Sequence, residues 1–468
     1  MWVVKYSLLT LSAVLYALAF IEPCYCWWMV FIFALPIFYA AHHYRLSFAE
    51  GYFWGILVFG LHLHGVLIGI VRMAEGPWHI RLIPVFFIVL YQAFFAALTF
   101  WIAHMLAQSN IIKKLLQKNH DTFYTKHAIW TLALLAFSFH LDQLCLLIFD
   151  YCEGYVFMNS LIPLAQYPPL LNAFLAAHKM PVKPLENLAS FIITPLLIGS
   201  FLYIMLQKRA KKTLCAAAIG CVAFCLFFTV QEKSMTKPAY LEHVKPLQLI
   251  FWSSPNIAAM ANAGRARFIE LLKKWPDTEV IILPEAAFYC SHLEKEHISL
   301  YWSTEYLGKA IHVILGTFRW SHDQYRNAFL WFYDGIIQAS FDKKHAMLLT
   351  ERTPTLFNRA SIHDLYFQRF PEIVPSDNER PRLQITPDFA IVPYICSELF
   401  FNQHADDTFP DTPILAICND HWAPEYVGNL MRLCAIFKAV QWQREIIYIS
   451  YNYAIYINKY GQHINILE

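Results

Sequence analysis

Long apolar stretches dominate the first 230 residues, and they constrain the fold more than any other feature of this chain. A helix needs about 20 residues to cross a bilayer, and seven stretches reach or approach that length: 6–22, 26–42, 52–71, 82–106, 128–149, 187–206 and 213–230. The first 230 residues carry 22 of the 70 charged residues, and the other 238 residues carry 48. The sequence therefore predicts an all-α polytopic membrane bundle over 1–230, a linker over 231–245 and a second domain over 246–468.

The basic residues of the short loops predict an orientation, because Lys and Arg favour the cytoplasmic side of a membrane. If the N-terminus is cytoplasmic, the inner segments carry ten Lys and Arg residues and the outer segments carry four. An odd number of spans then puts the second domain on the far side, which is the periplasm in a Gram-negative bacterium. We expect a multi-pass protein of the bacterial inner membrane.

The overall charge and the spacing of possible metal ligands exclude several classes of function. The net charge is only +2, which does not suggest a nucleic-acid partner. The 11 cysteines and 20 histidines show no zinc-type spacing, so we expect neither a metal nor a cofactor. Cys290, Cys396, Cys418 and Cys434 lie in the second domain, where we expect buried, unpaired thiols.

The second domain reads as one α/β domain, because strand-like runs alternate with helical ones. The predicted strands are 279–284, 311–318, 327–333, 336–341, 389–396, 414–418 and 446–452. The dipeptide Asp334-Gly335 favours a hairpin turn. Helices are expected at 257–275 and 426–444. The stretch 352–388 has no clean period and is interpreted either as a lid beside the site or as a segment packed on the domain.

Three residues that can carry chemistry each stand at the end of a predicted strand. Glu285 ends an apolar strand, where a carboxylate with a raised pKa can act as a general base. Lys343 follows the hairpin and can stabilise an oxyanion, although a lysine there is usually a surface residue. Cys396 opens a turn and can be a nucleophile, although a buried cysteine is usually a small hydrophobic residue.

The order Glu, Lys, Cys, each at a strand end, resembles the nitrilase (carbon–nitrogen hydrolase) superfamily. Nearly the whole chain resembles one branch of it, the bacterial apolipoprotein N-acyltransferases. The motifs that carry the resemblance are Pro284-Glu285-Ala286, Phe341-x-Lys343-x-His345, Glu351, Ile395-Cys396-x-Glu398 and Asn419-Asp420-x-Trp422.

The resemblance implies a fold and a reaction. The fold would be a membrane bundle that carries an external α-β-β-α sandwich. Glu285 would be the general base, Lys343 the catalytic lysine and Cys396 the nucleophile, with Glu351 and Glu398 as supporting acids. The enzyme would act as a monomer and move an acyl chain from a membrane phospholipid, through a thioester on Cys396, to the N-terminal amine of a diacylglyceryl-cysteine lipoprotein.

The sequence departs from the family pattern at several places near these motifs. Ser397 stands where the family has Tyr, and 348–350 replaces a Pro-Phe-Gly motif. Gln441 stands where the family has Glu, and Tyr453 replaces a Gly. No apolar run follows the second domain where the family has an eighth span. Two alternatives therefore stay open: a membrane-tethered amidase or nitrilase-type hydrolase, and a degenerate relative that binds lipid or lipoprotein without turnover.

Overall fold

The chain divides into two compact units, Met1–Glu232 and Lys233–Glu468. The computed structural model describes residues 2–21, 26–73, 77–109, 127, 129–131, 165–166, 168, 171, 235–248, 269–270, 272–289, 303–321, 324–347, 351, 372–400 and 408–466. The division lies close to the predicted end of the membrane domain at 230.

The described part of the first unit is helical. A 3₁₀ helix spans Trp27–Phe31. The α-helices are α1 (Trp2–Ala19), α2 (Ala34–His43), α3 (Phe48–His62), α4 (His64–Met73), α5 (Trp78–Arg81) and α6 (Ile83–Gln108). Helix α3 begins with a capping box, in which Ser47 and Glu50 satisfy each other's backbone N–H groups.

Within the described part, two helices are long and apolar enough to cross a membrane, Trp2–Ala19 and Val85–Gln108. They correspond to the predicted spans 6–22 and 82–106. The predicted spans 187–206 and 213–230 lie outside the described residues, as does 128–149 apart from its first turn.

The other two predicted spans are not single long helices. The stretch 26–42 is split into the 3₁₀ helix and the ten-residue helix α2. The stretch 52–71 is broken at Leu63, where α3 ends and α4 begins. The His64 ring lies 2.7 Å from the carbonyl oxygen of Leu61 and satisfies that acceptor at the break.

Helix α6 has two apolar faces of different character. Large exposed side chains recur at helical spacing on one face: Ile83, Phe86, Leu90, Phe94, Trp101 and Met105. Mostly small buried side chains form the other face: Val89, Ala93, Ala96, Ala97, Phe100 and Ala103. An exposed face made of large apolar residues is typical of a surface that contacts lipid or another protein segment.

The described part of the second unit is built from two sheets and contains two α-helices described over their full length, together with the end of a third. The strands are β1 (Val244–Pro246), β2 (Val280–Ile282), β3 (Phe288–Tyr289), β4 (His312–Ser321), β5 (Gln324–Tyr333), β6 (Ile336–Asp342), β7 (Leu383–Thr386), β8 (Phe389–Ile395), β9 (Ile414–Ile417), β10 (Ile446–Ile449), β11 (Ala454–Ile457) and β12 (His463–Asn465). The helices are α7 (Thr304–Leu307) and α8 (Glu425–Trp442). Two 3₁₀ helices span Ala239–Leu241 and Cys396–Phe400.

Within the described residues, each sheet has six strands and combines parallel with antiparallel pairing. The first sheet has the order β1-β2-β4-β5-β6, with β3 paired to β4, and the second has the order β12-β11-β10-β9-β8-β7. Strands β2, β9 and β10 are buried at every residue, as expected for parallel strands covered on both faces. The sheets meet where Ile417 of β9 lies over Gly316 of β4.

The structure confirms an α/β second domain and every predicted strand, within a few residues at each end. The turn Asp334-Gly335 has positive φ at both residues, 47° and 77°, which is the type I′ hairpin geometry. Helix α8 confirms the predicted helix 426–444 and packs on β10 and β11. Of the predicted helix 257–275, only its end is described, and it is helical there.

Five short strands were not predicted, namely β1, β3, β7, β11 and β12. Strand β7 corrects the interpretation of 352–388 as one insertion, because its residues 383–386 pair with β8. Strand β1 starts at 244, inside the predicted linker. Strands of two to four residues are too short to show a clear alternation, and pairing with neighbouring strands stabilises them.

Candidate active site

The ends of three strands bring the predicted site residues together. Glu285 lies three residues after β2, Lys343 directly follows β6, and Cys396 directly follows β8. Gly316 allows β4 to pass close to the backbone of Glu285, because a Cβ atom on residue 316 would lie 2.5 Å from the Cα atom of Glu285. The two sheets thus contribute residues to one buried cluster.

Glu285 is 4% exposed, and donors surround its carboxylate. The side-chain amide of Asn327 donates to Oε1 at 2.6 Å, and the backbone N–H of Asn419 donates to Oε2 at 2.9 Å. The carboxylate is also hydrogen-bonded to the Cys396 thiol. Burial raises the pKa of Glu285, and Lys343 only partly offsets this effect. A carboxylate with a raised pKa, in contact with a thiol, can accept the thiol proton.

Lys343 is 1% exposed and lies between two carboxylates. Its Nζ atom is 2.8 Å from both carboxylate oxygens of Glu351 and 3.4 Å from Oε1 of Glu285. Burial alone would lower the pKa of Lys343, but Glu351 and Glu285 raise it well above the usual value. The ammonium therefore stays charged, which suits it to stabilise negative charge rather than to act as a base.

Cys396 begins a 3₁₀ helix with a positive φ of 45°, a conformation that is costly for a residue other than Gly. It is 8% exposed. A hydrogen bond from the Cys418 thiol lowers its pKa, but burial together with Glu285 and Glu351 outweighs this effect and raises the pKa. The resting group is therefore a thiol, and it needs a base to become a nucleophile.

Glu351 and Asn327 join the cluster. Glu351 accepts from the Asn327 amide at 2.9 Å and from the backbone N–H of Met347 at 2.6 Å, in addition to Lys343. Asn327 is 1% exposed and donates to both Glu285 and Glu351. Its amide thus fixes the separation of the two carboxylates that contact Lys343.

Glu398 has a different place from the other predicted acids. It accepts from the backbone N–H groups of Lys344 at 2.6 Å and Ile395 at 2.7 Å. It also pairs with the Arg380 guanidinium at 2.9 Å. Burial alone would raise the pKa of Glu398, but Arg380 and the hydrogen bonds lower it. Glu398 therefore ties the chain beside Lys343 to the strand that carries Cys396.

Arg380 is also held by its surroundings. It donates to the carbonyl oxygen of Pro393 at 2.9 Å, and its guanidinium lies 3.8 Å from the ring centre of Tyr394 and 5.2 Å from that of Phe341. An arginine fixed in this way is a rigid partner for Glu398.

The remaining motif residues support the strand ends. Asp420 is fully buried and accepts from the Ser450 hydroxyl at 2.8 Å and the Tyr451 N–H at 3.0 Å. Ser397, the departure beside the nucleophile, donates to the carbonyl oxygen of His345 at 3.1 Å. Burial lowers the pKa of His345 to about 4, so this imidazole is neutral at physiological pH.

Two further departures, Gln441 and Tyr453, are hydrogen-bonded in the fold, and 348–350 lies outside the described residues. Gln441 accepts from the buried Lys438 ammonium at 2.9 Å, and the Tyr453 hydroxyl donates to Asn429 at 2.6 Å. The first pair lies within helix α8, and the second ties the segment after β10 to that helix.

Sequence reasoning missed Asn327 and Arg380, and it treated Cys418 only as a buried thiol. Asn327 carries no motif of its own, and Arg380 lies in the stretch that showed no period. For Cys418 a signal existed, because it ends a predicted strand next to the Asn419-Asp420 motif. Within the described ranges, no group of three or more His, Cys, Asp or Glu side chains is arranged to hold a metal ion.

Comparisons with known proteins give a likeness of structure alone. No protein-family model and no curated protein matches the sequence. A nitrilase-superfamily member of branch 10 from Saccharomyces cerevisiae is 16% identical, with a TM-score of 0.32, over 47% of this chain and 83% of that one. A carbon–nitrogen hydrolase from Helicobacter pylori G27 is 12% identical, with a TM-score of 0.34, over 47% and 83% of the two chains.

A third similar structure is a CN-hydrolase superfamily protein from Xanthomonas campestris, which was solved with an arsenic adduct in its active site. It is 18% identical, with a TM-score of 0.29, over 44% of this chain and 81% of that one. These structures are members of the nitrilase superfamily, and such scores say nothing about substrate.

Proposed function

We propose that this chain is an N-acyltransferase of the bacterial inner membrane and a member of the nitrilase superfamily. It would transfer an acyl chain from a phospholipid, through a thioester on Cys396, to the α-amine of a diacylglyceryl-cysteine lipoprotein. The observation that carries the proposal is the buried cluster of Glu285, Lys343 and Cys396, in which the thiol is hydrogen-bonded to the carboxylate and the ammonium lies beside it.

Glu285 acts as the base in the first step. It accepts the Cys396 proton as the sulfur attacks the ester carbonyl of the phospholipid, and a tetrahedral oxyanion forms. The pKa values of both groups are raised, so the thiol keeps its proton until the carbonyl carbon is in place. When the oxyanion collapses, the C–O bond breaks and the lysophospholipid alkoxide leaves with the proton held by Glu285.

Lys343 supplies positive charge to the oxyanion. Because Glu351 and Glu285 hold the pKa of Lys343 well above its usual value, the ammonium remains charged through the cycle. A preorganised donor of this kind contributes about 2.7–4 kcal/mol to lowering a barrier. In the second half-reaction the lipoprotein amine attacks the thioester, Glu285 accepts an amine proton, and Cys396 leaves as the thiol.

The apolar first unit supports a lipid substrate rather than a water-soluble one. Helix α6 exposes large apolar side chains along one face, and α1 and α6 meet the length and hydropathy requirements of a membrane span. Phospholipid and lipoprotein are both anchored in the membrane, so an enzyme anchored in the same membrane meets both without extracting an acyl chain.

The test is acylation by the full chain in membranes that lack any other lipoprotein N-acyltransferase. We expect a phospholipid-derived acyl group on Cys396 by peptide mass spectrometry, followed by a third acyl chain on a diacylated lipoprotein. Cys396→Ala should abolish both, and Cys434→Ala, a buried thiol on α8, should retain both. Modification of lipoprotein by Cys396→Ala would contradict the proposal. Turnover of small amides without a phospholipid-derived thioester would indicate the amidase alternative.

A further inference from the structure

A second thiol lies beside the nucleophile, and the sheet register places it there. Strands β8 and β9 are parallel neighbours, and Ile395 is paired with Ile417. Cys396 and Cys418 are the next residues on the two strands, so they leave the same edge of the sheet side by side. Both are free cysteines.

The two thiols interact, because Cys418 lowers the pKa of Cys396 and Cys396 raises that of Cys418. The Cys418 thiol donates a hydrogen bond to Cys396. Neighbouring strands lie about 4.8 Å apart, and disulfides join residues whose Cα atoms are roughly 4.4–6.8 Å apart. The Cα separation expected for Cys396 and Cys418 from the strand register therefore falls within the range of disulfide-linked residues.

The two thiols differ in their access to solvent. Cys418 is fully buried, whereas Cys396 keeps 8% exposure and is hydrogen-bonded to the Glu285 carboxylate. A small oxidant therefore reaches Cys396 first, and Glu285 can accept the thiol proton as the sulfur reacts. This asymmetry is that of a reacting cysteine with a protected resolving cysteine.

We propose that Cys396 and Cys418 form a reversible dithiol–disulfide pair that oxidation by hydrogen peroxide closes. The Cys396 sulfur attacks one peroxide oxygen, the O–O bond breaks, and the sulfur is oxidised to a sulfenic acid while hydroxide leaves and becomes water. The Cys418 sulfur then attacks the sulfenic sulfur. The S–O bond breaks, an S–S bond forms, and the Cys418 proton leaves with the hydroxide as a second water.

The disulfide would prevent Cys396 from acting as a nucleophile and would protect its sulfur from further oxidation. Without a resolving thiol, further peroxide drives a sulfenic acid to sulfinic and sulfonic acids, which are not recovered by thiol reductants. Closure of the S–S bond stops at a state that a dithiol reductant reverses. The inference goes beyond the proposed function, because it depends on the adjacency of two thiols and not on which acyl group is transferred.

The experiment uses the purified full chain in detergent micelles, treated with hydrogen peroxide and then with N-ethylmaleimide to block the remaining thiols. Non-reducing peptide mapping should find the Cys396 and Cys418 peptides linked, with a loss of about 2 Da for the two hydrogen atoms removed. Dithiothreitol should restore labelling of Cys396 by at least about tenfold.

Two variants separate the pair from general thiol oxidation. In Cys418→Ser, Cys396 should gain about 32 Da as sulfinic acid, and dithiothreitol should not restore its labelling. Cys434→Ser removes a buried thiol that is not part of the pair, and it should behave as the wild type. Full recovery of labelling in Cys418→Ser would overturn the proposal.

The wild-type peptide map decides the matter even if Cys418→Ser does not fold. Sulfinic acid on Cys396 together with a maleimide-blocked Cys418, or a bond from Cys396 to a different cysteine, would overturn the proposal. The mass readout requires no acyl transfer, so a failure of the proposed function is distinguishable from a failure of this one.

Discussion

Two lysines follow one another at the end of β6, and only the first is part of the buried cluster. The Lys343 ammonium contacts Glu351 and Glu285. Lys344 contributes its backbone N–H to Glu398, and a change of its side chain leaves that group in place. The family pattern distinguished the two by spacing, and the geometry gives the distinction a physical cause.

Replacing these lysines one at a time tests the role of the ammonium. Lys343→Met should lower the acyl-transfer rate by about 10²–10³-fold, because it removes the charge that faces the oxyanion. Lys344→Met keeps the backbone donor and should stay within about twofold of the wild type. The measurement is single-turnover formation of the Cys396 thioester. Equal losses in the two variants would show that the ammonium of Lys343 has no special role.

The ion pair of Arg380 with Glu398 gives a prediction about stability. Both side chains are at most 5% exposed, so Arg380→Met leaves a buried carboxylate without its cation. We expect a loss of about 3–5 kcal/mol at neutral pH, measured by thermal unfolding of the full chain in detergent. Arg382 is exposed and donates to the Thr412 hydroxyl at 3.2 Å, so Arg382→Met is the control and should change stability by less than about 1 kcal/mol.

The same pair fixes the sign of a pH dependence. Arg380 lowers the pKa of Glu398 in the folded chain, so the stabilisation is present above the usual pKa of a glutamate. It is lost as pH falls through the lowered pKa. In Arg380→Met the carboxyl can take up a proton more easily, so the stability difference from the wild type should shrink on acidification. A difference that grows at low pH would contradict this assignment.

At the scale of elements, helices α3 and α6 approach each other closely because α3 presents glycines. A Cβ atom on Gly51 would lie 2.7 Å from the backbone oxygen of Ala96. One on Gly55 would lie 2.7 Å from the Cα atom of Ala93. Small residues four positions apart are typical of close helix packing in membranes.

Alanine substitutions along this one helix test the packing. Gly51→Ala should destabilise the chain by about 1–3 kcal/mol, because the backbone of α6 would have to move away. Gly60 has no atom within 4 Å of an added Cβ, so Gly60→Ala should be neutral or stabilise by up to about 1 kcal/mol. Thermal unfolding in detergent checks both. A similar effect of the two substitutions would contradict close packing at Gly51.

Element prediction succeeded where the pattern was long and failed where pairing decided. The sequence predicts the hairpin of β5 and β6 because two strand-like runs flank the turn dipeptide Asp334-Gly335. Strands β7 and β12 have four and three residues, and hydrogen bonds to β8 and β11 hold them. The break at Leu63 was missed because hydropathy averages over a window and does not register a single helix end.

At the scale of the whole molecule, the proposed membrane orientation makes a prediction of its own. A periplasmic reporter such as alkaline phosphatase, fused after residue 240, should be active. A fusion after residue 46, in the loop that carries Arg45, should be inactive. The reason is the excess of Lys and Arg in the segments assigned to the cytoplasm. Activity of the second fusion, or inactivity of the first, would reverse the topology.

The sequence by itself determined the contrast between an apolar first part and a more highly charged second part, and it selected the Glu, Lys and Cys candidates. These are local properties, because hydropathy and strand-end motifs are read from neighbouring residues. The tertiary structure decided which groups meet. Asn327 contacts Glu285, which is 42 residues away in the sequence, and Glu351, which is 24 residues away. Arg380 contacts Glu398, which is 18 residues away.

The adjacency of Cys418 and Cys396 is also decided by the tertiary structure. It depends on which strands are neighbours and in what register, which is a property of the closed sheet and not of any segment of the chain. The charge states follow from the fold as well, because burial and opposing charges set the pKa values of Glu285, Lys343 and Cys396 only after the strand ends have come together.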